Sequence, residues 1–228
     1  MRTGMRTGIH RFAAGLALAA GLLGGIAARA DTLHVRIGGE VDYNVIKGQL
    51  SGIPSGAPVS MDFDVDASDF RNSLRYPTRG YVVDIASFDL DIDGVHIPLD
   101  APTRGDVYFV LRNNDPKVDG FFLSTGQVNA DSPLTVHVPG LAPAHQLDFL
   151  RTFDTDTILS SLDIHDAIGH YGFEHMSSYL WTLGQGSPGA EFVVETIDIT
   201  AVPEPASALL LGLGALVLLP AVRRRRRG

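Results

Sequence analysis

Apolar and polar residues alternate along most of the central part of this chain. Every second residue is apolar in Leu33–Ile37 and in Val59–Asp66, and the run Tyr81–Ile92 ends in the same alternation. A period of two predicts β-strands with one buried and one solvated face, because successive side chains of a strand point to opposite faces. Six further segments of similar character bring the predicted strands to nine: Val107–Leu111, Phe121–Ser124, Leu134–Val138, Leu147–Phe153, Tyr179–Leu183 and Phe192–Ile199.

Short segments rich in Gly, Pro and Asn separate these predicted strands, among them Gly52–Gly56, Asn113–Pro116 and Gly184–Gly189. Many short strands joined by such turns, without an internal repeat, predict the all-β class. We expect a single antiparallel β-sandwich or jelly-roll-like domain over residues 31–200. Only residues 156–170 depart from the pattern, and a short helix is predicted around Ile158–Ile164.

The first 30 residues have the character of an export signal. Three arginines among the first eleven residues precede an apolar run, Phe12–Ala27, and Ala28-Arg29-Ala30 fits the small-x-small cleavage pattern. No twin-arginine pair is present, which favours the general secretion machinery. We therefore expect signal peptidase to remove residues 1–30, so that the mature chain begins at Asp31.

The C-terminal residues 201–228 combine three features in a fixed order. The tripeptide Pro203-Glu204-Pro205 is followed by an uncharged apolar stretch, residues 206–222, which at 17 residues is at the short end of what spans a bilayer as a helix. Arginine excess marks the cytoplasmic side, so the body of the protein is expected on the opposite side of the membrane. A run of five arginines forms the predicted stop: Arg223, Arg224, Arg225, Arg226 and Arg227.

This arrangement of tripeptide, apolar segment and terminal arginines resembles the PEP-CTERM sorting signal of Gram-negative bacteria. The resemblance implies an exosortase-like membrane protease as partner, which cleaves near Pro203, Glu204 and Pro205 after transient anchoring in the inner membrane. It also implies release to the cell surface or extracellular matrix. A structural or adhesive role in association with exopolysaccharide follows from the same resemblance, not from any residue in 31–200.

Removing both predicted targeting segments changes the charge of the protein. The full chain has a formal net charge of −8. Without the four arginines of residues 1–30, and without the five arginines and Glu204 of the tail, 9 basic and 25 acidic side chains remain, a net charge of −16. Such a domain repels nucleic acid, which is therefore not expected as a partner. The chain has no cysteine, so no disulfide stabilises the exported domain.

A calcium-loop pattern occurs within the predicted strand region. Asp89, Asp91, Asp93, Gly94 and Asp100 match D-x-D-x-D-G with an acid at the twelfth position, a pattern that binds calcium through converging carboxylates. The same letters predict a β-hairpin that turns at Asp93-Gly94. The hairpin is the favoured interpretation, and no cofactor is then expected. A structural calcium ion is the alternative.

Two further groups of residues suggest chemistry. Asp62, Asp64 and Asp66 form a second acidic face, which would place like charges opposite each other if its strand neighboured Asp89 and Asp91, and a divalent cation would offset that repulsion. The second group, His165, His170 and His175 with Asp166 and Glu174, has the residue types of a zinc or acid–base site. Its glycines favour a solvated loop instead.

No sequence motif of a known catalytic class is present, so we do not expect an enzyme. The first alternative is a carbohydrate- or calcium-binding module, for which an exposed Trp181 with Tyr179 would be needed to stack on sugar rings. Core packing is the favoured interpretation of Trp181. A hydrolase of matrix polymers is the last alternative, and it requires histidine and carboxylate side chains that converge in one pocket.

Overall fold

The computed structural model describes residues 31–185 and 188–203; the predicted signal peptide and residues 204–228 of the predicted sorting signal lie outside the described residues. Each of the nine predicted strand segments contains a strand, and two short strands, β4 and β9, are additional. The strands are β1 (Thr32–Asn44), β2 (Pro58–Asn72), β3 (Thr78–Ile92), β4 (Val95–Ile97), β5 (Val107–Arg112), β6 (Gly120–Thr125), β7 (Leu134–Val136), β8 (His145–Phe153), β9 (Gly169–Tyr171), β10 (Met176–Gly184) and β11 (Pro188–Ala201).

Eight of these strands form a closed antiparallel barrel in the order β1-β2-β3-β5-β6-β8-β10-β11, and β11 pairs back with β1. The short strands β4, β7 and β9 pair with β3, β8 and β11 along stretches that β5, β6 and β10 leave unpaired. The prediction of an all-β antiparallel domain is confirmed. The arrangement differs from the expected sandwich or jelly roll, because those folds have two facing sheets whereas here one sheet closes on itself.

Two glycines allow β1 and β11 to close the ring. The pairing shifts register between Gly38 and Gly39, which are opposite Thr196 and Val194. A Cβ atom at Gly39 would lie 1.8 Å from the carbonyl oxygen of Val193, so no other residue fits this close backbone approach without displacing it.

The interior of the barrel is filled by side chains that the alternation points inward. Fully buried phenylalanines from β2, β5, β6 and β8 form a continuous row. The ring centroids are 5.5 Å apart for Phe63 and Phe109, 5.4 Å for Phe109 and Phe121, and 5.9 Å for Phe121 and Phe153. Such pairs add about 0.5–1.5 kcal/mol each beyond the area they bury. The barrel is therefore a packed core and its functional groups must lie at the surface.

A smaller apolar cluster lies on the outer face of β5 and β6. It contains Tyr108, Val110 and Phe122, and Val128 from the segment after β6 packs on it. The Thr78 hydroxyl donates to the Val128 carbonyl at 2.5 Å and holds this segment in place. The two strands are buried on both faces for this reason, which explains why their sequences are almost continuously apolar.

The helix predicted around Ile158–Ile164 is wrong. Only a single 3₁₀ turn forms, at Ile164–Ala167, and the residues before it are irregular. The hydroxyl of Tyr81 explains the difference, because it donates to the carbonyl of Leu162 at 2.6 Å and accepts from the amide of Ile164 at 2.9 Å. These contacts hold the segment against the barrel core in a conformation that intrahelical hydrogen bonds would not permit.

The described part of the chain contains no helix with the length and apolar character needed to cross a bilayer.

Candidate functional site

The calcium-loop pattern folds as a hairpin between β3 and β4. Asp93 and Gly94 have φ angles of 52° and 84°, the two left-handed positions of a type I′ turn. The Asp91 carboxylate accepts the amide of Gly94 at 2.7 Å and supports the turn. The hairpin interpretation of this motif is confirmed.

The four predicted calcium ligands do not converge. Asp89 and Asp91 both face His96, at 2.8 and 3.5 Å from its Nδ1 atom, whereas Asp100 contacts His137 in a different place. Within residues 31–185 and 188–203, no group of three or more histidine or acidic side chains is arranged to hold a metal ion. Calcium binding stays a prediction, and the contacts of these four carboxylates do not support it.

The two acidic faces are neighbours, as the calcium argument required. Asp62 of β2 lies directly opposite Asp89 of β3, and Asp64 lies opposite Asp84. Like charges at such positions destabilise a strand pair. Cationic groups from β1 on the other side offset this repulsion, since the Arg36 guanidinium contacts the Asp62 carboxylate at 3.1 Å. The chain itself therefore supplies counter-charge that the sequence argument assigned to a divalent ion.

Imidazole–carboxylate pairs recur over the outside of the barrel. Six of the seven histidines in the described residues contact an aspartate. The hydrogen bond that Asp89 accepts from His96, followed by the charges of Asp89 and Asp91, raises the pKa of His96. The predicted histidine cluster is separated into three such pairs, so these residues do not form one metal site. The pairs are His34–Asp64, His96–Asp89, His137–Asp100, His165–Asp163, His170–Asp198 and His175–Asp154.

One of these pairs lies in a surface cleft of about 460 Å³. The segment after β4 runs beside β7, where Leu99 bridges Val136 and the Asp100 amide donates to the Thr135 carbonyl at 3.0 Å. This pairing brings the Asp100 carboxylate to 2.5 Å from His137 Nδ1. The residues that line the Asp100–His137 cleft are Asp100, Ala101, Pro102, Thr103, Val107, Thr125, Thr135 and His137.

Several hydrogen-bonding groups lie close together in the cleft. A carboxylate and an imidazole lie beside three threonine hydroxyls, a set that can donate to and accept from the hydroxyls of a sugar. A carboxylate that orients an imidazole is also part of a nucleophile-activating arrangement, but that arrangement needs a hydroxyl bonded to the imidazole. In the described part of the chain, the hydrogen-bond partner of His137 is Asp100.

A second cleft of about 390 Å³ lies on another part of the surface and is lined by Lys47, Leu141, His145 and Gln185 among others. His145 is buried there, and its desolvation, followed by the charge of His137, lowers its pKa. Its Nε2 atom lies 3.3 Å from the Gln185 amide. A neutral imidazole beside mostly apolar neighbours provides little to orient a ligand.

Trp181 is part of the core. It is 1% exposed and its ring lies 6.1 Å from Phe149 and 5.3 Å from Phe192. The core interpretation is confirmed, and Trp181 is not available to stack on a sugar. Tyr179 of the same strand is 40% exposed.

The Asp100–His137 pair could not be found from sequence. Asp100 stood out only as the twelfth residue of the calcium pattern, and His137 only as a polar position of an alternating strand. Their pairing depends on β7 running beside the segment after β4, and no local sequence pattern indicates this.

The predicted sorting residues Glu204 and Pro205 and the five arginines Arg223–Arg227 lie outside the described residues. Pro203 is described and exposed.

Comparisons with protein-family models, curated proteins and solved structures find no match to this chain. The fold and its clefts define a small antiparallel barrel protein with polar surface sites. Any functional conclusion must therefore rest on its own residues.

Proposed function

We propose that the chain is an exported structural or adhesive protein of the cell surface or extracellular matrix, associated with exopolysaccharide and sorted by an exosortase-like protease. The observation that carries the proposal is that the strands of the barrel begin and end beside the two cleavage sites that the sequence predicts. β1 starts at Thr32, two residues after the expected signal-peptidase site, and the last barrel contact is the Val202 amide donating to the Thr32 carbonyl at 3.1 Å. Pro203 follows and is exposed.

Cleavage at both predicted sites would therefore leave every strand of the barrel intact. Export by the general secretion machinery and signal peptidase, followed by cleavage near Pro203, would retain all the described strands from Thr32 to Ala201. The packed interior argues for a structural or binding role, because an enzyme of this size would need converging catalytic groups.

We expect the native extracellular protein to begin at Asp31 and to end near Val202–Pro205. Intact-mass measurement of protein from the culture supernatant and the surface fraction checks both ends. Replacement of Pro203, Glu204 and Pro205 by alanine should retain the tail and leave the protein in the envelope. An unaltered extracellular protein that still carries Arg223–Arg227 would contradict the sorting proposal.

A carbohydrate-binding module is the second candidate, favoured by the polar groups of the Asp100–His137 cleft. Asp100→Asn with His137→Gln should weaken binding of a responsive neutral disaccharide about fivefold, because each lost hydrogen bond contributes about 0.5–1.5 kcal/mol. Amide chemical-shift titration with a disaccharide panel measures this. His170→Gln alters a similar pair on β9 and serves as control. Shifts that avoid Thr103, Thr125 and Thr135 would exclude the cleft.

A further inference from the structure

The turn between β2 and β3 concentrates positive charge in a strongly acidic domain. Residues 70–79, named here the arginine hairpin, contain Arg71, Arg75 and Arg79, three of the nine basic residues between 31 and 200. Across the described residues none of the three forms a salt bridge, whereas Arg36 pairs with Asp62. Arg71 contacts the Gly126 carbonyl at 3.4 Å and the Tyr108 hydroxyl, and Arg79 donates to Asn72. These partners are uncharged, so the hairpin keeps a positive charge that an outside anion can meet.

Exposed apolar side chains accompany these arginines. Phe70 is 44% exposed, Tyr76 is 43% exposed and Leu74, in the turn itself, is 100% exposed. Large apolar side chains grouped with arginine are typical of recognition surfaces, since aromatic rings and guanidinium groups supply much of the energy of association. The ten residues of the arginine hairpin therefore bring positive charge together with exposed apolar side chains.

The hairpin is held in one conformation by its own polar contacts. The Ser73 hydroxyl donates to Asn129 Oδ1 at 2.7 Å and accepts the amides of Arg75 and Tyr76. The Arg79 guanidinium lies 4.4 Å from the centre of the Phe70 ring, and its Nε atom donates to Asn72 at 2.7 Å. A surface that is already ordered loses less conformational entropy on binding.

We propose that the arginine hairpin binds a carboxylated polysaccharide, an inference that rests on the proposed association with exopolysaccharide. Guanidinium groups pair with carboxylates through two parallel hydrogen bonds, which fits Arg71 and Arg75 to the acidic groups of uronic-acid units. The Tyr76 ring, and the part of the Phe70 ring that Arg79 leaves uncovered, present apolar surface to the C–H faces of the sugars. A neutral polysaccharide would use only the rings.

The charge of the rest of the domain selects this occupant over other polyanions. The formal charge of −16 between residues 31 and 200 opposes approach to a broad anionic surface, because charges within a Debye length of about 8 Å still interact. Nucleic acid carries a phosphate charge about every 1.7 Å along a duplex and meets the same opposition. A flexible polymer chain with spaced carboxylates can contact the arginine hairpin while avoiding the acidic face of β2 and β3.

The test uses the exported protein purified from cells that express the full chain. Polygalacturonate is the carboxylated probe and dextran the neutral one, with affinity measured by gel electrophoresis through each polymer. We expect retention by polygalacturonate alone, and R71Q/R75Q should bind about tenfold more weakly, since exposed ion pairs contribute up to about 1 kcal/mol each. Binding should also weaken as salt is raised.

Matched variants separate the arginine hairpin from overall charge. Lys47→Gln removes an exposed positive charge beside the second cleft and should change the affinity less than twofold. R71K/R75K keeps the charge without the planar fork, so an intermediate affinity is expected. Equal binding of R71Q/R75Q and the unaltered protein, or equal retention by dextran, would overturn the proposal.

Two further probes cover the other polyanions. Vesicles containing phosphatidylglycerol and a single-stranded oligonucleotide are offered at the same charge concentration. Tighter binding to vesicles that Leu74→Ser abolishes would assign the hairpin to a membrane and overturn the polysaccharide proposal, as would a preference for the oligonucleotide. Weaker binding to both than to polygalacturonate supports it.

The proposed function is tested separately by fractionating the matrix of the producing culture. Protein absent from the matrix would refute the association with exopolysaccharide, whatever the electrophoresis shows. Protein present in the matrix, with an R71Q/R75Q variant that is retained there equally well and shows no loss of polygalacturonate binding, would refute the arginine hairpin alone.

Discussion

Replacing Trp181 with alanine is expected to lower the free energy of unfolding by about 3–5 kcal/mol, the usual cost of truncating a buried tryptophan. The indole is enclosed by Phe149 and Phe192, and Gly39 of β1 lies against it, since a Cβ atom there would be 3.3 Å from its ring. It thus fills the interior where β10, β11 and β1 meet. Urea unfolding followed by circular dichroism measures the change.

Tyr179→Ala on the same strand is the control for this prediction. Its side chain is 40% exposed, so truncation should cost well under half as much as Trp181→Ala. Trp181→Phe should be intermediate, because it keeps a ring in the cavity. Equal losses for the two alanine variants would mean that Trp181 is not the packing residue that its burial indicates.

The strands of this fold could be predicted from sequence, but their closure could not. Alternation such as Val59–Asp66 sets which side chains point inward, and this holds equally for a sandwich and a barrel. Closure depends on β1 pairing with β11 across most of the chain, with the register shift at Gly38 and Gly39. Two adjacent glycines in a strand indicate a close approach or a bulge but not its partner.

The site was less predictable for a similar reason. The pattern from Asp89 to Asp100 is shared by calcium loops and by hairpins, and only the geometry at Asp93 decides for the hairpin. Asp100 lies beyond this hairpin and contacts His137, which is 37 positions away in the sequence.

One arginine of β8 faces the interior of the barrel. Leu147, Phe149 and Phe153 face the core, and Arg151 occupies the position between them in the same phase. Arg151 is fully buried and its pKa is lowered to about 10 by desolvation. Its Nη2 atom donates to the Gly172 carbonyl, whereas Nε and Nη1 have no partner in the described residues.

Arg151→Met is therefore expected to stabilise the protein, by about 1–4 kcal/mol, because an apolar side chain of similar length removes a desolvated charge with no carboxylate beside it. The gain appears as a rise in melting temperature of several degrees, at about 2–4 °C per kcal/mol for a domain of this size. Arg151→Ala tests the role of volume, since it removes the same charge but leaves a cavity, and it should melt below Arg151→Met.

The pH dependence of this gain identifies the charge as its cause. An unfolded chain binds the Arg151 proton with the ordinary pKa of a guanidinium, which is well above the pKa of about 10 that the group has in the folded barrel. Between these pH values the unfolded state holds more protons, so the unaltered protein gains stability as pH rises, while below that window its penalty is complete. The advantage of Arg151→Met should thus be constant from neutral pH to about pH 9 and shrink above pH 10.

The burial that raises the pKa of Tyr171 acts in both proteins and cancels in the difference between their stabilities. An advantage that does not change across this window would attribute the effect to packing, and a loss of stability in Arg151→Met would mean that the guanidinium is held by an anion or water inside the barrel.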